Sequence, residues 1–294
     1  MPTTMDSIQR LMSQLAKRPV RSLLAGAYAS IFSGRSLDFE DLREYVAGDD
    51  VAAIDWKATA RSPKVLIRRS KAEKRHHLIL VVDTGLAMAA TAPDARPKSD
   101  IAGAVAGLFI YLALGHGDLV SAHWGDQANC YSLPARSRPA HGDLLLSRFS
   151  QAWEGSPAKS SLGRLLEHAN HNAKRRGAAV VISDDLALNH PGTNQQIKQL
   201  HARHEVIVLR VADLAPTSPL AVDAADVTSG DVFPAAMWGG LTAVRQAAAH
   251  DAQMDQAIAT RLTGQGIATV RLTGYDQVPA KVIEVLERHR HVAR

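Results

Sequence analysis

Cysteine and aromatic residues are both scarce in this chain. Cys130 is the one cysteine among 294 residues, so no intramolecular disulfide and no cysteine-based zinc centre can form. Aromatics make up 5% of the sequence, and none lies between Lys57 and Arg75, the most basic stretch, so no platform for stacking nucleobases is evident there. The longest apolar run, 101–114, spans 14 residues, fewer than the ~20 a membrane-crossing helix needs. No membrane span is therefore expected. The polar opening from Met1 to Gln9 lacks the order of a secretory signal, so the expected location is the cytoplasm.

Signatures of catalysis are missing as well. There is no Gly-x-Ser-x-Gly elbow, and Ser156-Pro157-Ala158-Lys159 matches Ser-x-x-Lys without the companion motifs of that chemistry. Lys98-Ser99 ends like a phosphate loop, but the preceding residues 92–97 supply no glycine to expose backbone amides. Any ATP hydrolysis linked to this chain must therefore come from another protein. Thirteen histidines include the i, i+3 pairs His168/His171 and His201/His204 and the adjacent His76-His77, but no His-Glu-x-x-His order. They read as exposed helix-face or capping residues.

Charge is present in quantity, and it is unevenly placed. The net charge of +5 falls entirely within residues 1–82. From Asp38 to Asp55 there are seven acids and one base, Arg43. From Lys57 to Arg75 there are eight bases (Lys57, Arg61, Lys64, Arg68, Arg69, Lys71, Lys74, Arg75) and one acid, Glu73. A bipolar segment suits docking onto a partner or an internal salt-bridge network at least as well as a film for nucleic acid. Specific nucleic-acid binding is not expected; non-specific binding through 57–75 is the alternative.

Hydrophobic patterning predicts the fold. Ile8, Leu11, Met12 and Leu15 mark an amphipathic helix ending near Pro19, and a second helix is expected over 21–32. Residues 36–60 read as a structured arm, with a strand at 65–69. Continuous apolar runs at 77–82, 178–182 and 205–211 alternate with helices at 101–114, 163–175, 194–203 and 244–262. An alternating strand is expected at 119–124, another strand at 266–272, and a final helix opening at Pro279. This rhythm implies an α/β fold: a doubly wound, mainly parallel, Rossmann-type sheet over 76–294, with an N-terminal helix and charged arm over 1–75 packed on it.

Two of the buried runs end in an acid, Asp83 and Asp184. In doubly wound sheets ligands gather beyond the carboxyl ends of strands, near the point where strand order reverses. Two carboxylates meeting there stay ionised most easily around a hard cation, and Ser160 or Ser161 can add a hydroxyl oxygen. Each acid can instead cap the following helix. The order strand-Asp83-Thr84-Gly85-Leu86-Ala87-Met88, then Ser160-Ser161-Leu162, then strand-Ser183-Asp184, resembles the von Willebrand factor A domain. That resemblance implies a Mg²⁺ site built from Asp-x-Ser-x-Ser, a Thr and an Asp. Here Gly85 and Ala87 stand in place of the two serines and Ser160 in place of the threonine. Two oxygens are lost, so the expectation is no cofactor, or weakly bound Mg²⁺ held by Asp83, Ser160 and Asp184.

Upstream, Arg43-Glu44-Tyr45, then Gly48-Asp49-Asp50, Ile54-Asp55-Trp56-Lys57 and Arg61 resemble the signature of the bacterial family called domain of unknown function 58. The resemblance implies a non-enzymatic adaptor that works with a MoxR-type AAA+ ATPase and a client protein. In the residues themselves, Tyr45 and Trp56 are large anchors with polar tips, expected to pin the arm to the sheet domain. Arg43 and Arg61 suit bidentate contacts with Asp49, Asp50 and Asp55. An internal clasp and a partner-docking surface are both compatible with that pattern.

Overall fold

The computed structural model describes residues 4–14, 18–33, 42–51, 54–68, 75–155, 157–215, 217–218, 221, 225–232 and 240–292. Helices α1 (Met5–Gln14) and α2 (Arg18–Ser33) come first. A small arm follows: β1 (Leu42–Glu44), α3 (Trp56–Thr59) and β2 (Leu66–Arg68). Then come β3 (His77–Asp83), α4 (Lys98–Gly115), β4 (Leu119–Gly125), β5 (Cys130–Arg136), α5 (Pro139–Glu154), α6 (Leu162–Asn172) and β6 (Ala178–Asp184). The chain continues through α7 (Asp185–Asn189), α8 (Pro191–Arg203), β7 (Glu205–Val211), α9 (Leu241–Thr263), β8 (Ala268–Leu272) and α10 (Val278–Val292).

The main sheet has six strands in the order β5-β4-β3-β6-β7-β8. Every pair is parallel except β4–β5. The apolar runs are buried because both faces of the sheet are covered. Leu78, Leu80, Val82, Val180 and Ile182 face a layer that includes α4, α5 and α10, while Ile79, Val81, Val181 and Val208 face α6, α8 and α9. This is a doubly wound α/β fold. Strand order reverses at β3, which lies between β4 and β6.

Helix α4 is long and apolar enough to cross a membrane, but most of it is buried inside the protein. It packs on the sheet, and Gly107 lets α1 come close: a Cβ there would meet Ile8 Cγ1 at 2.6 Å. Ile8, Leu24, Tyr28 and Ile31 join the same core as β3 and α4, and the Tyr28 hydroxyl donates to buried Asp118 Oδ2 at 3.0 Å. Pro19 does not end the first helix. It lies in the first turn of α2, where a backbone N–H has no intrahelical partner to lose.

Strand β5, helix α5 and the short helices α3 and α7 escape the sequence reading. Edge strand β5 carries Pro134 and mostly exposed side chains, a composition that only an outer strand tolerates. In α5 the buried stripe includes His141 and Gly142 as well as Leu145, Leu146 and Phe149, which blurs its apolar period. Strand β4 does not alternate: six of its seven residues are buried, because β3 and β5 flank it and helices cover both faces. The histidine reading is also corrected. His77, His123 and His204 are buried within the fold, whereas His76 and His171 are exposed.

Candidate functional site

β3 and β6 are neighbours at the reversal point, so Asp83 and Asp184 do end adjacent strands at one rim. Both are fully buried. Asp83 Oδ1 accepts from the Gly85 amide at 2.9 Å and Oδ2 from the Ser183 hydroxyl at 2.8 Å. Burial and the nearby charge of Asp184 push the Asp83 carboxyl up to about 6, against the pull of the Gly85 and Ser183 donors. The Ser160 hydroxyl is buried close enough to oppose that rise, but it lies outside hydrogen-bond geometry. Asp184 caps α7, with Oδ1 accepting from the Ala187 amide at 2.8 Å.

The cation at this rim belongs to the protein. Lys98, the first residue of α4, places its ammonium 3.0 Å from Asp184 Oδ2 and 2.5 Å from Asp213 Oδ1. Its side chain is 1% exposed. Burial works against the charge, but the two carboxylates outweigh it and hold the ammonium above the ordinary lysine range. Sequence reasoning missed both Lys98 and Asp213. The available signal was a single base at the mouth of an otherwise apolar helix.

The Mg²⁺ implied by the A-domain resemblance does not fit these residues. All four carboxylate oxygens of Asp83 and Asp184 already accept from protein donors. A serine cannot simply be placed at Gly85, because a Cβ there would meet Ser160 Cα at 2.4 Å and its amide nitrogen at 2.7 Å. Among the described residues, no group of three or more His, Cys, Asp or Glu is placed to hold a metal ion.

Beside these acids lies a cavity of about 720 Å³, lined among others by Ala87, Lys159, Ser160, Arg164, Asp184 and Leu186. Its wall is built from paired loops. Asp126 Oδ1 accepts from the Ala128 and Asn129 amides, and Oδ2 reaches across to the Ala158 amide at 3.0 Å. Arg164 donates to the Gln127 carbonyl at 2.6 Å, closing the same wall from α6. On the far side, buried Asp185 receives Arg210 at 2.7 Å and Arg271 at 2.6 Å, anchoring the start of α7. Leu186 stands between these fixed points with 62% of its surface exposed.

The arm forms a second surface. Asp55 caps α3, accepting from the amides of Lys57 and Ala58 at 3.0 Å each, and Asp49 accepts from the Val46 amide at 2.9 Å around the left-handed turn at Gly48. Lys64 pairs with Glu44 across the hairpin at 2.5 Å. Trp56 does not pin the arm: it opens the short helix α3 with 67% of its surface exposed. Tyr45 is half-buried, while Asp50 and Arg61 are exposed. The side chain of Arg43 lies outside the described residues, as do Arg69, Lys71 and Lys74.

The family model described as protein of unknown function DUF58 matches residues 41–230. The chain belongs to the DUF58 family. The match begins at the arm and runs through the rim to the segment after β7, so both surfaces lie within what defines this family. Uncharacterized proteins of Mycobacterium tuberculosis and Mycobacterium bovis are each 29% identical over 226 residues, covering 76% of this DUF58 chain and 68% of their own. A conserved hypothetical protein, BatB, from Bacteroides thetaiotaomicron superposes with a TM-score of 0.45 at 18% identity, over 73% of this chain and 98% of its own. A von Willebrand factor type A protein from Catenulispora acidiphila superposes at 0.40 with 10% identity, over 74% and 43% respectively.

Proposed function

We propose that this DUF58 chain is a non-enzymatic protein-interaction module of the cytoplasm that recruits a client to a MoxR-type AAA+ ATPase. The observation that carries the reading is where large apolar side chains meet solvent. Of the eleven such residues among those described, five (Leu42, Val46, Val51, Trp56 and Val65) belong to the arm. Leu186 projects at the rim, and Val227 adjoins Thr228 of the cavity wall. Single exposed apolar residues are ordinary on protein surfaces, whereas concentration on one small element marks an interaction surface. Asp49 and Asp55 serve the arm's own turn and cap, and Glu44 pairs with Lys64.

Recognition, with work delivered by the partner, also suits the chemistry of the rim. Asp83 and Asp184 are committed to structural hydrogen bonds, and the sequence holds no phosphate-binding loop. No observation favours duplex binding by residues 57–75.

The test is co-purification of the chain with the MoxR-type ATPase of the same genome, with and without ATP. Complex formation is expected, weakened at least tenfold by Trp56→Asp or Leu186→Asp. Absence of binding in both nucleotide states would refute the partnership. Salt-sensitive duplex binding lost on replacing Arg68 and Arg69 would favour the other reading.

A further inference from the structure

We infer that Lys98 is a built-in replacement for the divalent cation of A-type domains, so that this rim is held together without metal. Three independent features converge on it. The ammonium, itself buried, bridges buried Asp184, at the end of β6, and partly exposed Asp213, just beyond β7. It thereby neutralises charge at the strand ends where a bound ion would otherwise do so. The remaining oxygens of Asp83 and Asp184 accept from the Gly85 and Ala187 amides and the Ser183 hydroxyl. A hard ion seeking six or more oxygens would have to share each of these four with a protein donor already on it, one of them the Lys98 ammonium. Finally, Gly85 packs so closely on Ser160 that the serine of the metal motif has no room. Lysine, close contact and engaged carboxylates together describe a closed site rather than a loosened one.

A consequence follows for binding. A metal at such a rim offers an open coordination position to an acidic side chain of a partner; a buried ammonium with both carboxylates engaged offers none. Ligands of this face must then be held by the cavity wall itself, by Lys159, Arg164 and Leu186.

The experiment is thermal unfolding of wild type, Lys98→Met and the double variant Lys98→Met/Asp184→Asn. Each is measured in EDTA and in millimolar Mg²⁺, Mn²⁺ or Ca²⁺, with calorimetry of Mg²⁺ on the wild type. Wild type should give no binding heat and the same Tm in EDTA and in each ion. Lys98→Met should lose roughly 10 °C in Tm, because it leaves two carboxylates without their cation. At least one divalent ion should restore part of that loss. The double variant should recover part of it with no ion, since asparagine keeps the cap on α7. Micromolar Mg²⁺ binding by the wild type would overturn the inference. So would a Lys98→Met protein as stable as wild type, or one that none of the three ions rescues. Should Lys98→Met not fold, the wild-type calorimetry and the double variant decide.

Discussion

Replacing Gly85 by serine restores the residue type of the metal motif, and the structure predicts damage rather than gain. The backbone at Gly85 is extended, with φ of −73°, so a side chain costs nothing in conformation. The obstacle is space. A Cβ would lie 2.4 Å from Ser160 Cα and 2.7 Å from its amide nitrogen. These are backbone atoms, and the loop that carries them is tied by the Leu86 amide to the Ala158 carbonyl at 2.8 Å and by Asp126 to the Ala158 amide. Relief requires prising that loop from the strand end. Overpacking of this kind costs about 1–3 kcal/mol, and loosening the loop bonds adds about 1 more. For a domain of this size a loss of about 3 kcal/mol corresponds to a Tm lower by roughly 6–12 °C. Urea unfolding of Gly85→Ala and Gly85→Ser should therefore show similar losses, since the Cβ alone causes the clash. Ala87→Ser, facing the cavity, should stay within about 0.5 kcal/mol of wild type. A Gly85→Ser protein as stable as wild type would refute the reasoning.

Two further outcomes are expected. Tyr28→Phe removes the donor to Asp118 Oδ2, leaving that carboxylate with the His76 amide at 2.8 Å on its other oxygen; a loss of about 1–3 kcal/mol should appear in urea unfolding, and an unchanged midpoint would show that the contact contributes nothing. His123 is 3% exposed with neither ring nitrogen hydrogen-bonded, and burial, aided by His168, His77 and His204, pushes its pKa down to about 4. The unfolded chain then binds more protons, so stability is held above pH ~6.5 and falls as the pH drops toward 4, by roughly 3 kcal/mol for this ring. His123→Leu should flatten that acid limb in unfolding curves taken between these pH values; an unaltered slope would contradict the assignment.

Strands β3, β6 and β7 were legible because they are continuous apolar runs, the first two ending at acids, a pattern that hydrophobic burial on two faces imposes. Asp83 and Asp184 were placed at the same rim by the rule of strand order, and the structure brings them there. Lys98 was not legible as their counter-charge. Its partner Asp213 lies 115 residues away and comes within reach only through the β6–β7 pairing. The closeness of Gly85 to Ser160 is likewise a property of two loops, set by Asp126, that no local pattern encodes. Trp56 shows the opposite failure: its size and polar tip suggested an anchor, but it opens a four-residue helix too short to bury a large side chain. Edge strand β5 and helix α5 were hidden because proline, histidine and glycine interrupt their periods.

The most direct test of the interaction account is hydrogen–deuterium exchange of the full chain, alone and mixed with the MoxR-type ATPase in the presence of ATP. The account predicts slowed exchange on the arm around residues 42–65 and along the rim at 158–164 and 185–190, with the opposite sheet edge unchanged. Exchange identical in the two samples, or protection confined to the amino ends of the strands, would contradict it.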